Sequence, residues 1–180
     1  MIKALILVLT GMVAAGLALQ AAEARRTTDN KLSPSASTSM KMGGYSITIE
    51  YNAPSARGRK VEGGLIPYGK AWRTGADAAT TLSTDADLII DDLRVPKGVY
   101  TIYTLANPDG WLLIINKQTG QWGTEYDAAQ DLGRAPLKLT ALDTPVEKFQ
   151  ITLKATDAAS GVLQMSWGKT EASAPVKLAR

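Results

Sequence analysis

Alternation of apolar and polar residues, broken at short intervals by turn signals, leaves this chain few folds to choose from. Tyr45, Ile47, Ile49 and Tyr51 fall on one side of an extended segment, and Ser46, Thr48 and Glu50 on the other. The same period of two returns with Phe149, Ile151 and Leu153, and again with Leu163, Met165 and Trp167. Val99–Ala106 and Trp111–Asn116 are rich in β-branched and aromatic residues. Asn107-Pro108-Asp109-Gly110 joins them: proline presets φ at the second position and glycine allows positive φ at the end. Shorter extended segments are expected at Ala79–Ser83, Asp87–Ile90, Leu93–Val95, Arg134–Leu142 and Ala172–Val176. No stretch carries a capped helical stripe, and only Asp127–Leu132 suits one helical turn. Eight or nine short strands without a long helix predict an all-β fold. It is a single antiparallel β-sandwich, jelly-roll-like or a flattened barrel, with two long loops and little helix.

The ends read differently. Lys3 precedes an uncharged run, Ala4 to Ala22, and Ala22-Glu23-Ala24 presents small residues where a signal peptidase reads them. Residues 1–24 are therefore expected to be a cleaved signal peptide, which places the protein in a secreted or periplasmic compartment. The alternative is a retained N-terminal anchor, since 19 uncharged residues approach spanning length. Residues 25–39, polar and rich in Ser and Thr, read as a flexible linker. The sandwich is expected over residues 40–176, with a tail at 177–180.

What the chain lacks excludes much chemistry. It has no cysteine, so neither disulfides nor a lipid-anchoring cysteine are available. It has no histidine, so Ser-His-Asp and Cys-His systems are ruled out, as are His/Cys zinc and copper sites. No D-x-D-x-D-G run suggests calcium, and no metal or cofactor is expected. The net charge of +3 is too mild to imply a nucleic-acid partner, and it is the same with or without the leader. The cations cluster, however: Arg57, Arg59, Lys60, Lys70 and Arg73 face a single acid, Glu62, within 17 residues.

That cluster lies in Asn52–Gly75, where seven of 24 residues are glycine or proline. Gly64 to Lys70 has the G-x-x-x-x-G-K spacing of a phosphate-binding loop. Ala71 stands where that loop needs Ser or Thr for magnesium, Pro67 removes an N–H donor, and no helix follows. A nucleotide site is therefore not expected. Either the glycines make tight turns sealed by Trp72, or the loop is a site for a polar or anionic ligand. In the second case Arg57, Arg59 and Arg73 supply forked donors, and Tyr68 and Trp72 supply flat faces.

The run YNAPSARGRKVEGGLIPYGKAWRTGADAAT, Tyr51 to Thr80, resembles the signature of a bacterial domain-of-unknown-function family, number 2911. VPKGVYTIYTL, INKQTGQWGTEYDAAQDLGR and PVEKFQITL, at Val95–Leu105, Ile115–Arg134 and Pro145–Leu153, resemble it too. The resemblance covers about Ser33 to Trp167 and implies a secreted single-domain protein with no established activity. It marks two signature loops, Tyr51–Thr80 and Asn116–Arg134. The first carries Pro54, Ser55, Arg57, Gly58, Arg59, Gly63, Gly64, Pro67, Tyr68, Gly69, Trp72, Arg73, Gly75 and Asp77 at signature positions. The second carries Asn116, Trp122, Gly123, Tyr126 and Asp127. Asp77 stands where many members have Asn, which argues against an anion contact at that position.

Three functional readings stay open. The preferred one is a non-catalytic binding module for a polar or anionic ligand, with an envelope glycan among the candidates. Arg57, Arg59 and Arg73 would orient the ligand, and Tyr68, Trp72, Trp122 and Tyr126 would stack on it. The second is a cell-envelope hydrolase or lyase using two of Glu62, Asp77, Glu125 and Asp127. The third is a structural or protein-interaction domain whose loops pack inward. Expression in a secreting host should yield a mature chain beginning at Arg25, read by intact mass. A chain retaining Met1 would make the leader an anchor.

Overall fold

The computed structural model describes residues 32–179. The leader, and the linker up to Lys31, lie outside the described residues. From Ser35 onward the chain is one compact unit.

Ten strands form it: β1 (Ser35–Met42), β2 (Tyr45–Asn52), β3 (Ala71–Trp72), β4 (Thr81–Thr84), β5 (Leu88–Ile90), β6 (Leu93–Val95), β7 (Gly98–Asn107), β8 (Gly110–Asn116), β9 (Asp131–Ala155) and β10 (Ser160–Leu178). All pairings are antiparallel. The strand order is β1-β2-β4-β7-β8-β9-β10-β5-β6, and β3 lies beside β7. One 3-10 turn, Ala128–Gln130, is capped by the Asp127 side chain, within the segment expected to hold a helical turn. The expected antiparallel all-β architecture is thus present, as one open sheet wrapped on itself.

The wrapping comes from β9 and β10. Residues 131–137 of β9 pair with β8, and residues 138–155 pair with β10. One strand therefore serves both layers. The segments expected as two strands on each side of 143–145 and of Lys169 are continuous. The β9–β10 ribbon doubles back at Gly168, where the register slips on both sides. Past the bend, Glu171 accepts hydrogen bonds from Gln164 and Ser166, and Leu178 N–H reaches the Ala159 carbonyl at 2.9 Å. The bend also changes the phase of burial. Leu163, Met165 and Trp167 point inward before it, and Ala172, Ala174 and Val176 after it. A bulge that adds one residue has this effect, because side chains alternate with period two. Gly168 adopts φ +59°, and a Cβ there would sit 3.0 Å from both Val61 Cβ and Glu62 Oε1.

Among the described residues, the edge of β9 facing β1 and β2 carries a single backbone bridge, Ser55 with Lys148, rather than a longer ladder. Phe149 N–H donates to the Pro54 carbonyl at 2.8 Å, and Ala56 N–H to the Glu147 carbonyl at 2.8 Å. Ile151 N–H donates to the Tyr51 hydroxyl at 3.0 Å, and Leu153 N–H to Thr38 Oγ1 at 3.1 Å. Side-chain hydroxyls from β1 and β2, with the Pro54 carbonyl, thus take the Phe149, Ile151 and Leu153 donors at this seam, where the layers close. Behind it lies the core. Phe149 meets Tyr51 and Trp72 edge-on, and Trp72 stacks on Trp167 at 5.7 Å.

Two expected boundaries shift. β1 begins at Ser35, inside the segment read as a linker to residue 39, because Thr38 seals β9 and Met40 and Met42 are buried. The tail contributes Lys177 and Leu178, which pair with Ile89 and Leu88. Tyr51→Phe, which leaves Ile151 N–H buried without a partner, should cost about 1–3 kcal/mol in urea unfolding. Gly168→Ala, forced into a left-handed conformation against Val61, should cost about 1–3 kcal/mol. Unchanged stability in both variants would mean that neither the seam nor the bend is needed.

Candidate functional site

The two signature loops meet. Gly123 N–H donates to the Asp77 carbonyl at 2.9 Å, Ala79 N–H to the Gln121 carbonyl at 3.3 Å, and Ala78 and Trp122 form a bridge pair. At Gly123 the approach is so close that a Cβ would fall 2.7 Å from both Arg73 Cδ and the Asp77 carbonyl oxygen. Only glycine lets the second loop settle on the Arg73 side chain.

The first loop reaches this junction because its apolar residues are pulled into the core. Val61, Ile66 and Trp72 are buried, and β3 pairs Trp72 with Thr104 of β7. A buried threonine cluster holds the next residues. Thr74 Oγ1 lies 2.8 Å from Thr104 Oγ1, and Thr80 Oγ1 donates to the Thr74 carbonyl at 2.8 Å. Thr74 adopts φ +52°, a conformation that β-branched residues rarely take. Such strain costs roughly 1–3 kcal/mol and persists only where the surroundings enforce it. It falls on the residue after Arg73.

Arg73 lines a cleft of about 320 Å³ with Gly64, Pro67, Trp72, Gly123 and Thr124. Its Nε donates to the Gly75 carbonyl at 3.3 Å, and its two terminal amino groups have no protein partner among the described residues. Tyr68 follows Pro67 and is 40% exposed; Trp122 precedes Gly123 and is 52% exposed. The Tyr68 ring covers Gly63.

The other candidates are distributed elsewhere. Trp72 is buried between Phe149 and Trp167, so its faces are occupied by protein. The Arg59 fork is spent on the Ala56 and Ser55 carbonyls, at 3.0 and 2.8 Å. Arg57 is exposed, at φ +50°, with its N–H on Glu147 Oε1 at 2.7 Å. Arg59 and Glu62 border a separate depression at the ribbon bend, together with Gly168 and Lys169. Glu62 there accepts from Thr170 at 2.8 Å. Asp127 caps the 3-10 turn, Glu125 is exposed, and Asp77, at φ +57°, offers its carbonyl to Gly123. Among the described residues no group of three or more Asp or Glu is arranged to hold a metal ion. No helix of the described residues is long and apolar enough to cross a membrane.

Tyr126 belongs to the support of the second loop. Its hydroxyl donates to Asp131 Oδ2 at 2.7 Å and accepts from Arg134 Nη2 at 3.2 Å. Its ring meets Tyr103 edge-on at 4.8 Å. Tyr103 in turn accepts from Gln121 Nε2 at 3.1 Å and donates to the Glu125 carbonyl. Asn116 anchors the start of the loop, donating to the Asp127 carbonyl and to Asp131 Oδ1. The threonine cluster and Gln121 escaped the sequence reading. Only Thr74, before Gly75, and Gln121, after Gly120, carried a local signal; Thr80 and Thr104 carried none.

Burial, first of all, raises the phenol pKa of both Tyr103 and Tyr126; at Tyr126 the hydrogen bond to Asp131 adds to it. The neutral phenols are therefore favoured by folding. Their contribution is complete below the ordinary value of 10 and is lost as pH rises through the higher folded values. Alkaline unfolding followed by tyrosinate absorbance should show a steep loss of stability above pH 10, flattened in Tyr103→Phe. An unchanged profile in that variant would place the alkaline sensitivity elsewhere.

No curated protein and no solved structure matches the chain. A family model described as a protein of unknown function, DUF2911, matches residues 33–176 and so spans both loops, the seam of β9 and most of β10. The chain belongs to the DUF2911 family.

Proposed function

We propose that the protein is a non-catalytic binding module of the cell envelope or its surroundings, and that its ligand is a polar or anionic molecule held in the cleft between the two signature loops. The carrying observation is Arg73: a guanidinium fixed at Nε, with two terminal amino groups unpartnered among the described residues, in the wall of a cleft of about 320 Å³. A fork held in this way suits a carboxylate, sulfate or phosphate oxygen pair. The cleft is within the size range of small-ligand sites. Tyr68 and Trp122, exposed and next in sequence to the lining residues Pro67 and Gly123, supply flat faces for a sugar ring. The strained Thr74 favours the same reading, since strain of this kind collects where a side chain must be aimed. The leader expected at residues 1–24 makes an acidic envelope glycan a suitable ligand class.

Calorimetry with uronic-acid oligosaccharides tests this. Binding should saturate and weaken with salt, because the contact is charged and partly exposed. Arg73→Ala should reduce affinity about tenfold or more, the effect of losing a hydrogen bond to a charged group of about 1.5–3 kcal/mol. Its melting temperature should stay close to that of the parent chain. Loss of stability with no binding by the parent would make Arg73 a structural residue.

A further inference from the structure

A second depression, of about 480 Å³, lies over β1, β2 and β4, and Arg73 is not in its wall. Its floor follows from strand register. Ser37 pairs with Glu50, and Glu50 with Thr81, so a hydroxyl, a carboxylate and a hydroxyl stand in one row across three strands. In the next row Ser35 pairs with Asn52 and donates to its Oδ1 at 3.1 Å. Tyr51, between Glu50 and Asn52, turns inward to seal β9, so both neighbours lie on the other face of β2, Glu50 exposed and Asn52 buried. Ala78 and Ala79 form the side wall. Trp122 is the bridge partner of Ala78, and its side chain projects on the same side of that pair.

The chemistry of this groove differs from that of the Arg73 cleft. No lysine or arginine lines it, and its one charge is the exposed Glu50 carboxylate, which has no protein partner among the described residues. Anions are disfavoured there. Hydroxyl groups that both donate and accept, an amide and a carboxylate that accepts from two adjacent hydroxyls match a polyhydroxylated molecule. The exposed indole of Trp122, on the residue bridged to the wall residue Ala78, matches the apolar face of a pyranose ring. The volume is within the range of sites for small ligands. We propose that this groove is a second binding site, for neutral saccharide, with Glu50, Ser37 and Thr81 reading ring hydroxyls and Trp122 stacking on the ring. Its polar readers do not include Arg73; Trp122, next to the Gly123 of the Arg73 cleft, is the one residue common to both sites.

The chain reports on this groove directly. Of its four tryptophans, Trp72, Trp111 and Trp167 are buried and Trp122 is exposed. Acrylamide-accessible fluorescence should therefore come from Trp122 and vanish in Trp122→Phe. The probes are cellotriose, maltotriose and chitotriose, each titrated to concentrations that saturate a millimolar binder. At least one should shield Trp122 saturably. Glu50→Ala should weaken that shielding at least about tenfold, and Thr81→Val severalfold, with melting temperatures unchanged. Arg73→Ala should leave it intact, whether or not acidic ligands bind at the other site. Shielding by none of the three sugars would overturn the proposal. So would shielding that survives Glu50→Ala but disappears in Arg73→Ala, because the sugar would then lie in the Arg73 cleft.

Discussion

Backbone N–H groups on one edge of β9 govern how the rest of this protein is put together. Phe149, Ile151 and Leu153 place their donors where the two layers close, and among the described residues no strand continues the ladder there. Buried donors left unpaired would each cost about 1–3 kcal/mol. The Pro54 carbonyl and the hydroxyls of Tyr51 and Thr38 take them instead. This solution fixes β1 against β9, commits the start of the first loop to the seam, and sets Phe149 against Tyr51 and Trp72. The sheet stays open as a backbone ladder but is sealed by side chains.

The loops inherit their order from that seam. Trp72, held between Phe149 and Trp167, acts as the anchor of a loop that has almost no regular structure. Aromatic pairs of this geometry add about 0.5–1.5 kcal/mol beyond their burial. With Trp72 fixed, Thr74 is locked into its strained conformation by Thr104 and Thr80, and Arg73 is aimed into the cleft. Gly123 then brings the second loop down on the Arg73 stem. The core anchor Trp72 and the proposed ligand-reading Arg73 are thus adjacent residues of one loop.

Much of the fold was legible because period two is a local signal. The 99–116 hairpin, the inward faces of β2 and of the 149–153 and 163–167 segments, and the 3-10 turn near Asp127 could all be read from neighbours in sequence. The doubling of β10 was harder: its phase flips at Gly168, so 163–167 and 172–176 read as two strands. β1 was missed as far as Ser39 because Ser and Thr make both linkers and half-exposed strands. At the candidate site, Arg73, Tyr68 and Trp122 were legible as residue types in the two loops. Trp72 and Trp122 looked alike, each in a polar, glycine-containing stretch, yet one is a core residue and the other is 52% exposed. Nothing local separates them, since burial is decided by Phe149 and Trp167, far along the chain. The Ser37–Glu50–Thr81 row was invisible for the same reason: register alone assembles it.

The central claim is that Arg73 is a ligand-reading group. Arginine side-chain NMR during titration with a uronic-acid oligosaccharide addresses it without altering the chain. The account predicts that the Arg73 Nε–H resonance shifts saturably, while that of Arg59, committed to the Ala56 carbonyl, stays in place. If the Arg73 resonance stays fixed, or if all exposed arginines drift together without saturation, the cleft between the loops is not a binding site.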